Sequence, residues 1–163
     1  MKVLLAVLIV VVGLGFYWCV TEGPLRDPED ALSDFIEGKR RAEDQLTDPL
    51  VLAGPNVRPL VLKSVKDPGA PQRRYAIGYL GCTGYEPAAS VLRKIVATET
   101  EEIYFRADAL DSLWLLQPVE GVKLALAYQN RDDFLGATAQ RIVAGKPVIY
   151  CRSWVDAFLG RHG

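Results

Sequence analysis

The sequence predicts an all-α fold, a stack of helix pairs, from three observations. Two apolar patterns at helical spacing recur together about every 30 residues, Pro and Gly punctuate each seam between them, and an uncharged stretch stands before the first. An amphipathic helix pair cannot bury its apolar stripe alone, so recurring pairs have to stack.

The uncharged stretch is Val3 to Val20. As a helix it spans about 27 Å, close to a hydrocarbon core of about 30 Å. Tyr17 and Trp18 stand at its far end, where amphipathic rings favour the headgroup boundary. Signal cleavage is the rival reading, with Lys2 as n-region and small residues at Gly13 and Gly15. Apolar character running on through Phe16–Val20, and no A-x-A after it, favour an anchor. Lys2 and the terminal amine favour a cytoplasmic N-terminus, so the rest of the chain is expected outside: periplasmic or extracytoplasmic, or secreted if cleaved. The segment thus covers residues 1–20, a linker 21–26, and a helical domain 27–163.

Asp27-Pro28-Glu29 reads as a helix start, with an N-cap, Pro at the first position and acid in the first turn. Leu32, Phe35, Ile36, Ala42 and Leu46 continue it as one stripe, and the basic run Lys39, Arg40 and Arg41 reads as its solvated face. From Asn56 onward the repeat takes over. Leu60, Val61, Ser64 and Val65 are matched by Val91, Leu92, Ile95 and Val96, then by Gly121, Val122, Ala125 and Leu126. A second pattern follows each: Arg73, Ala76, Ile77, Leu80; Arg106, Ala109, Leu110, Leu113; and Leu135, Thr138, Ala139, Ile142. Seams fall at Asp67-Pro68-Gly69, Gly81 to Gly84, Gln117-Pro118 and Gly145-Lys146-Pro147. Trp154, Phe158 and Leu159 share a face of a last helix, expected to cap the open end of the stack.

The run from Arg73 to Gly81 resembles the second helix of HEAT repeats of the short, bilin-lyase-like type, with Arg, Ala three on, and Leu-Gly seven and eight on. Arg106, Ala109 and Leu113 match again, with Trp114 where Gly is usual, and the third unit departs further at Leu135 and Thr138. The resemblance covers about residues 56 to 144. It implies a short right-handed α-solenoid of about three helix pairs whose second helices line a concave groove. The groove residues it implies are Gln72, Tyr75, Tyr79, Phe105, Asp108, Ser112 and Arg141, with Ala137 beside them.

Composition argues against several activities. There are 19 Lys and Arg against 20 Asp and Glu, with no basic excess of the kind nucleic-acid binders carry. One His, at position 162, leaves no His-based site, and no C-x-x-C is present. Gly78 to Gly84 ends a helix and lacks the Gly-Lys-Ser/Thr of a phosphate loop, so capping is its reading. The acids at Glu99, Glu101, Glu102, Asp132 and Asp133 stand at predicted helix starts and read as caps. Asp108 and Asp111 are expected on an exposed face. A bond between Cys82 and Cys151 needs Cα atoms within about 7 Å, which two stacking steps prevent unless the tail folds back; the pairing stays open. No cofactor and no catalysis are expected. The functional expectation is a membrane-tethered scaffold that binds a protein partner, the alternative a small-molecule or chromophore-binding, lyase-like HEAT protein.

Overall fold

The structure is a computed structural model and describes residues 26–38, 43–146 and 151. Among them the regular elements are all helical: α1 (Pro28–Glu37), α2 (Asp48–Leu52), α3 (Arg58–Val65), α4 (Arg73–Cys82), α5 (Ala89–Ala97), α6 (Ile103–Leu116), α7 (Pro118–Tyr128) and α8 (Phe134–Val143). Among the described residues no helix is long and apolar enough to cross a membrane. The segment 3–20, the basic run 39–41, and Trp154, Phe158 and Leu159 lie outside the described residues.

The first helix starts as its sequence predicts. Asp27 caps it by accepting from the backbone N–H groups of Glu29 and Asp30, at 2.9 and 3.1 Å. It ends earlier than the stripe suggested. Gly38 takes a left-handed φ of 56° and closes α1, so Leu46 reaches the core from a separate turn.

From α3 onward the helices pack as pairs: α3 on α4, α5 on α6, and α7 on α8. The second helices also pack on one another, with α6 between α4 and α8, and α6 further touches α7. All twelve positions of the second pattern are buried, including Arg73 and Arg106. Each fully buried Leu or Ile among them contributes about 1.5–3 kcal/mol of transfer free energy.

The first pattern needs a correction of one residue in its third copy. Val61 and Val65, Leu92 and Val96, and Gly121 and Ala125 are the buried pairs, whereas Leu126 is 49 % exposed. The reason lies at the α6–α7 crossing. A Cβ at Gly121 would run into the backbone of Trp114, so glycine is what lets the helices meet there. At the contact between the second helices α4 and α6 the glycine belongs to the earlier helix: Gly81 faces Ser112, whose Cα and Cβ lie 2.7 and 2.6 Å from where a Cβ would stand. Trp114 occupies the position equivalent to Gly81, and the opposite helix supplies the small residue.

Both arginines of the pattern do the same local job. Arg73 Nε donates to the Val65 carbonyl at 2.9 Å, and Arg106 Nε donates to the Val96 carbonyl at 2.9 Å. Each second helix thereby satisfies a carbonyl at the end of its own first helix. Arg73 goes further and grips Glu101 with two bonds, 2.6 and 2.8 Å. Glu101 is thus a partner for Arg73 rather than a cap for α6, and Glu102 makes no side-chain cap bond. Asp133 does cap α8, through the Gly136 N–H.

Cys82 and Cys151 form a disulfide with Cα atoms 5.0 Å apart. Residue 151 therefore stands at the end of α4. Glycines 78 and 81 lie inside α4, and Gly84, with φ 65°, follows its last turn.

Candidate partner-binding face

Helices α4, α6 and α8 lie side by side, so residues about 30 apart in sequence meet across their outer side. Tyr104 at the start of α6 and Phe134 at the start of α8 touch, with ring centroids 5.0 Å apart and planes tilted by 53°. Both rings are well exposed, Tyr104 by 50 % and Phe134 by 42 %. The Arg74 guanidinium, from α4, lies 5.7 Å from the first centroid and 6.0 Å from the second. The same guanidinium donates to Asp108 of α6 at 2.6 Å. One turn along, Arg141 of α8 donates to Asp111 of α6.

These contacts give the face its shape. Tyr104, Asp108, Asp111 and Leu115 follow one another along the side of α6 opposite its own core. Yet Asp108 is half-buried and Asp111 buried. Side chains from α4 and α8 close over them, so α6 is the floor of a trough and its neighbours are the walls. The expectation that both carboxylates sit on an exposed face is corrected accordingly.

Burial pushes the Asp111 carboxyl up to about 6, against the opposing pull of Arg141. Asp108 is raised too, chiefly by burial, with the hydrogen bond from Arg74 working the other way. The guanidinium of Arg74 is held above its usual range by that same hydrogen bond. Among the described residues no three His, Cys, Asp or Glu side chains converge as a metal site.

The residues expected to line the groove divide between surface and interior. Tyr75 is half-buried and donates its hydroxyl to Glu43 at 2.6 Å, beside Arg74 on the α4 wall. Asp108 and Arg141 belong to the trough. Gln72 stands at the α4 start with a φ of 56°, against Gly38. Phe105 is half-buried beneath the Arg73 guanidinium, 5.1 Å away. Tyr79 is buried with its hydroxyl on the Leu50 carbonyl, and Ser112 is buried with its hydroxyl on the Ile77 carbonyl. These last two are inside the helix packing, where a partner does not reach.

Arg74, Tyr104 and Phe134 were the residues that spacing alone passed over, and Asp111 was expected at the surface. Tyr104 had a usable signal. It stands two positions before the buried Arg106, about 200° around the helix and so opposite the core. Ala137, two positions after Leu135, is exposed for the same reason. No family model, no curated protein and no solved structure matches the chain.

Proposed function

We propose that this protein is a membrane-tethered helical scaffold, a short right-handed α-solenoid of HEAT-like pairs, that docks a protein partner in the α4–α6–α8 trough and performs no catalysis. The observation that carries this reading is the exposed cluster of Arg74, Tyr104 and Phe134. Aromatic rings and arginine dominate the energetically important positions of protein interfaces. Here the two rings touch and share one guanidinium, so a partner meets them with little conformational freedom left to lose.

The other features agree with it. The repeated packing of pairs, and the matched duties of Arg73 and Arg106, support the HEAT-like reading. The trough carboxylates are each held by an arginine, an arrangement suited to recognition more than to proton transfer. The uncharged stretch 3–20 supports a tether, and a disulfide closing the tail onto α4 suits an oxidising compartment, which supports export of the domain.

A photo-crosslinking residue placed at Tyr104 in the full-length protein, in its native membranes, tests the function. The expected result is one discrete adduct that weakens when Arg74→Ala is added and is missing when the probe stands at Ser90, on the other layer. No adduct from Tyr104, or the same adducts from both positions, contradicts the proposal. A coloured small molecule that co-purifies and is lost with Tyr104→Ala would favour the lyase-like alternative.

A further inference from the structure

The corrected register of the first helices reveals a second surface. Lys63 follows the buried Val61 by two residues, Lys94 follows Leu92 by two, and Lys123 follows Gly121 by two. Two residues turn a helix by about 200°, so each lysine points away from the side on which its helix packs. All three are exposed. They hold equivalent positions in α3, α5 and α7, the layer opposite the trough. Among the described residues no salt bridge joins any of the three to a carboxylate. Glu120, the acid nearest them on α7, is occupied by Arg93 of α5 at 2.5 and 2.6 Å, with Lys123 also in its field.

Apolar side chains accompany the row at one end. Val119 and Leu126, four residues before and three after Lys123, are 87 % and 49 % exposed. A cation flanked by aliphatic groups suits the boundary of a bilayer, where the stem of a lysine lies among apolar groups and its ammonium meets phosphate. The chain as a whole is close to neutral, so this face stands out against the paired charges of the trough.

We propose that the outer side of α3, α5 and α7 rests on an anionic bilayer through Lys63, Lys94 and Lys123, which turns the trough towards water. The proposal rests on the reading of residues 3–20 as a membrane segment. Thr21 to Arg26 then span at most about 20 Å, which holds the domain within about two Debye lengths of the headgroups. Each lysine brought to such a surface strengthens the contact about fivefold.

The test uses the full-length protein in vesicles of phosphatidylcholine alone or of an equal mixture with phosphatidylglycerol. Acylation of each lysine is followed by peptide mass spectrometry. On the anionic vesicles Lys63, Lys94 and Lys123 should react several-fold more slowly than on the neutral ones, with protection lost in high salt. Lys146, at the end of α8, should react alike on both. Equal rates on the two vesicles, or equal protection of Lys146, overturn the proposal. So does protection by soluble polyphosphate or nucleic acid that anionic vesicles fail to give. If the chain inserts into neither vesicle, the anchor reading has failed, and sedimentation decides the surface separately. Salt-sensitive binding to anionic vesicles alone, abolished by combined Lys63→Glu, Lys94→Glu and Lys123→Glu, supports it, and no binding overturns it.

Discussion

Arg73 and Arg106 carry equivalent positions but unequal loads, and the difference is measurable. Arg73 holds the Val65 carbonyl and a two-bonded Glu101, whereas Arg106 holds the Val96 carbonyl and lies 5.6 Å from the Tyr128 ring. Losing a charged donor to one carbonyl costs about 1.5–3 kcal/mol, and removing Arg73 also breaks its two bonds to the partly buried Glu101. Urea unfolding should therefore place Arg73→Met below Arg106→Met. Asp111 makes a different prediction, read in pH. Its folded value of about 6 lies above that of an unfolded Asp, so the folded state keeps a proton the unfolded chain gives up. Its contribution to stability is complete below about pH 4 and is lost as pH rises to 6, by about 2 kcal/mol. Asp111→Asn should remove that loss, so the stability of the wild type relative to the variant falls across this window. Glu101 has the opposite sign: the Arg73 hydrogen bond lowers it, and its contribution is lost as pH falls below the ordinary carboxylate range.

Helix by helix, legibility followed the kind of signal each segment carried. The core stripes of the second helices were readable, because these positions are large apolar groups, small alanines and a recurring arginine at fixed spacing. The first helix of the third pair was misread by one residue. Its contact with α6 is made by Gly121, a residue chosen for what it lacks, and hydrophobic spacing does not register an absence. The end of α1 was misread because apolar residues continued past Gly38, although the glycine itself was the stop. Spacing singled out Tyr75, Asp108 and Arg141, which lie on this side of α4, α6 and α8, but it gave neither the burial of Asp108 nor the Tyr104–Phe134 contact. That contact depends on how far α8 is shifted along α6, which no single helix encodes. At the α6–α7 crossing, Gly121→Ala should force the helices apart and destabilise by about 1–3 kcal/mol. The same change at Gly84, where a Cβ would meet nothing, would strain only a left-handed φ. Thermal unfolding of the two variants, with circular dichroism as the probe, separates a close crossing from a turn requirement.

Among the described residues the helices from α3 onward form successive pairs, and residue 151 is tied back to the first full pair. The cap expected of the tail falls on Trp154, Phe158 and Leu159, outside the described residues; the Cys82–Cys151 bond fixes residue 151 at the end of α4. Cysteine spacing did not decide this, since a separation of 69 residues is compatible with either course. In the chain-entropy view a loop of that size adds about 4 kcal/mol by restricting the unfolded state. Reduction, or Cys82→Ser, should accordingly lower the urea midpoint with little change in helix content. Two layers with different chemistry follow from the same stacking: paired charges and aromatic rings on α4, α6 and α8, and lysines on α3, α5 and α7. Everything proposed for the trough requires the second helices to be neighbours in this register. A nuclear Overhauser measurement on the full-length protein in detergent micelles, between the ring protons of Tyr104 and Phe134, tests it directly. Rings 5.0 Å apart should give a strong cross-peak, with the Arg74 side-chain protons shifted upfield by the ring currents. No cross-peak between those rings, in a protein that is otherwise folded and helical, would mean that α6 and α8 do not stand side by side in this way.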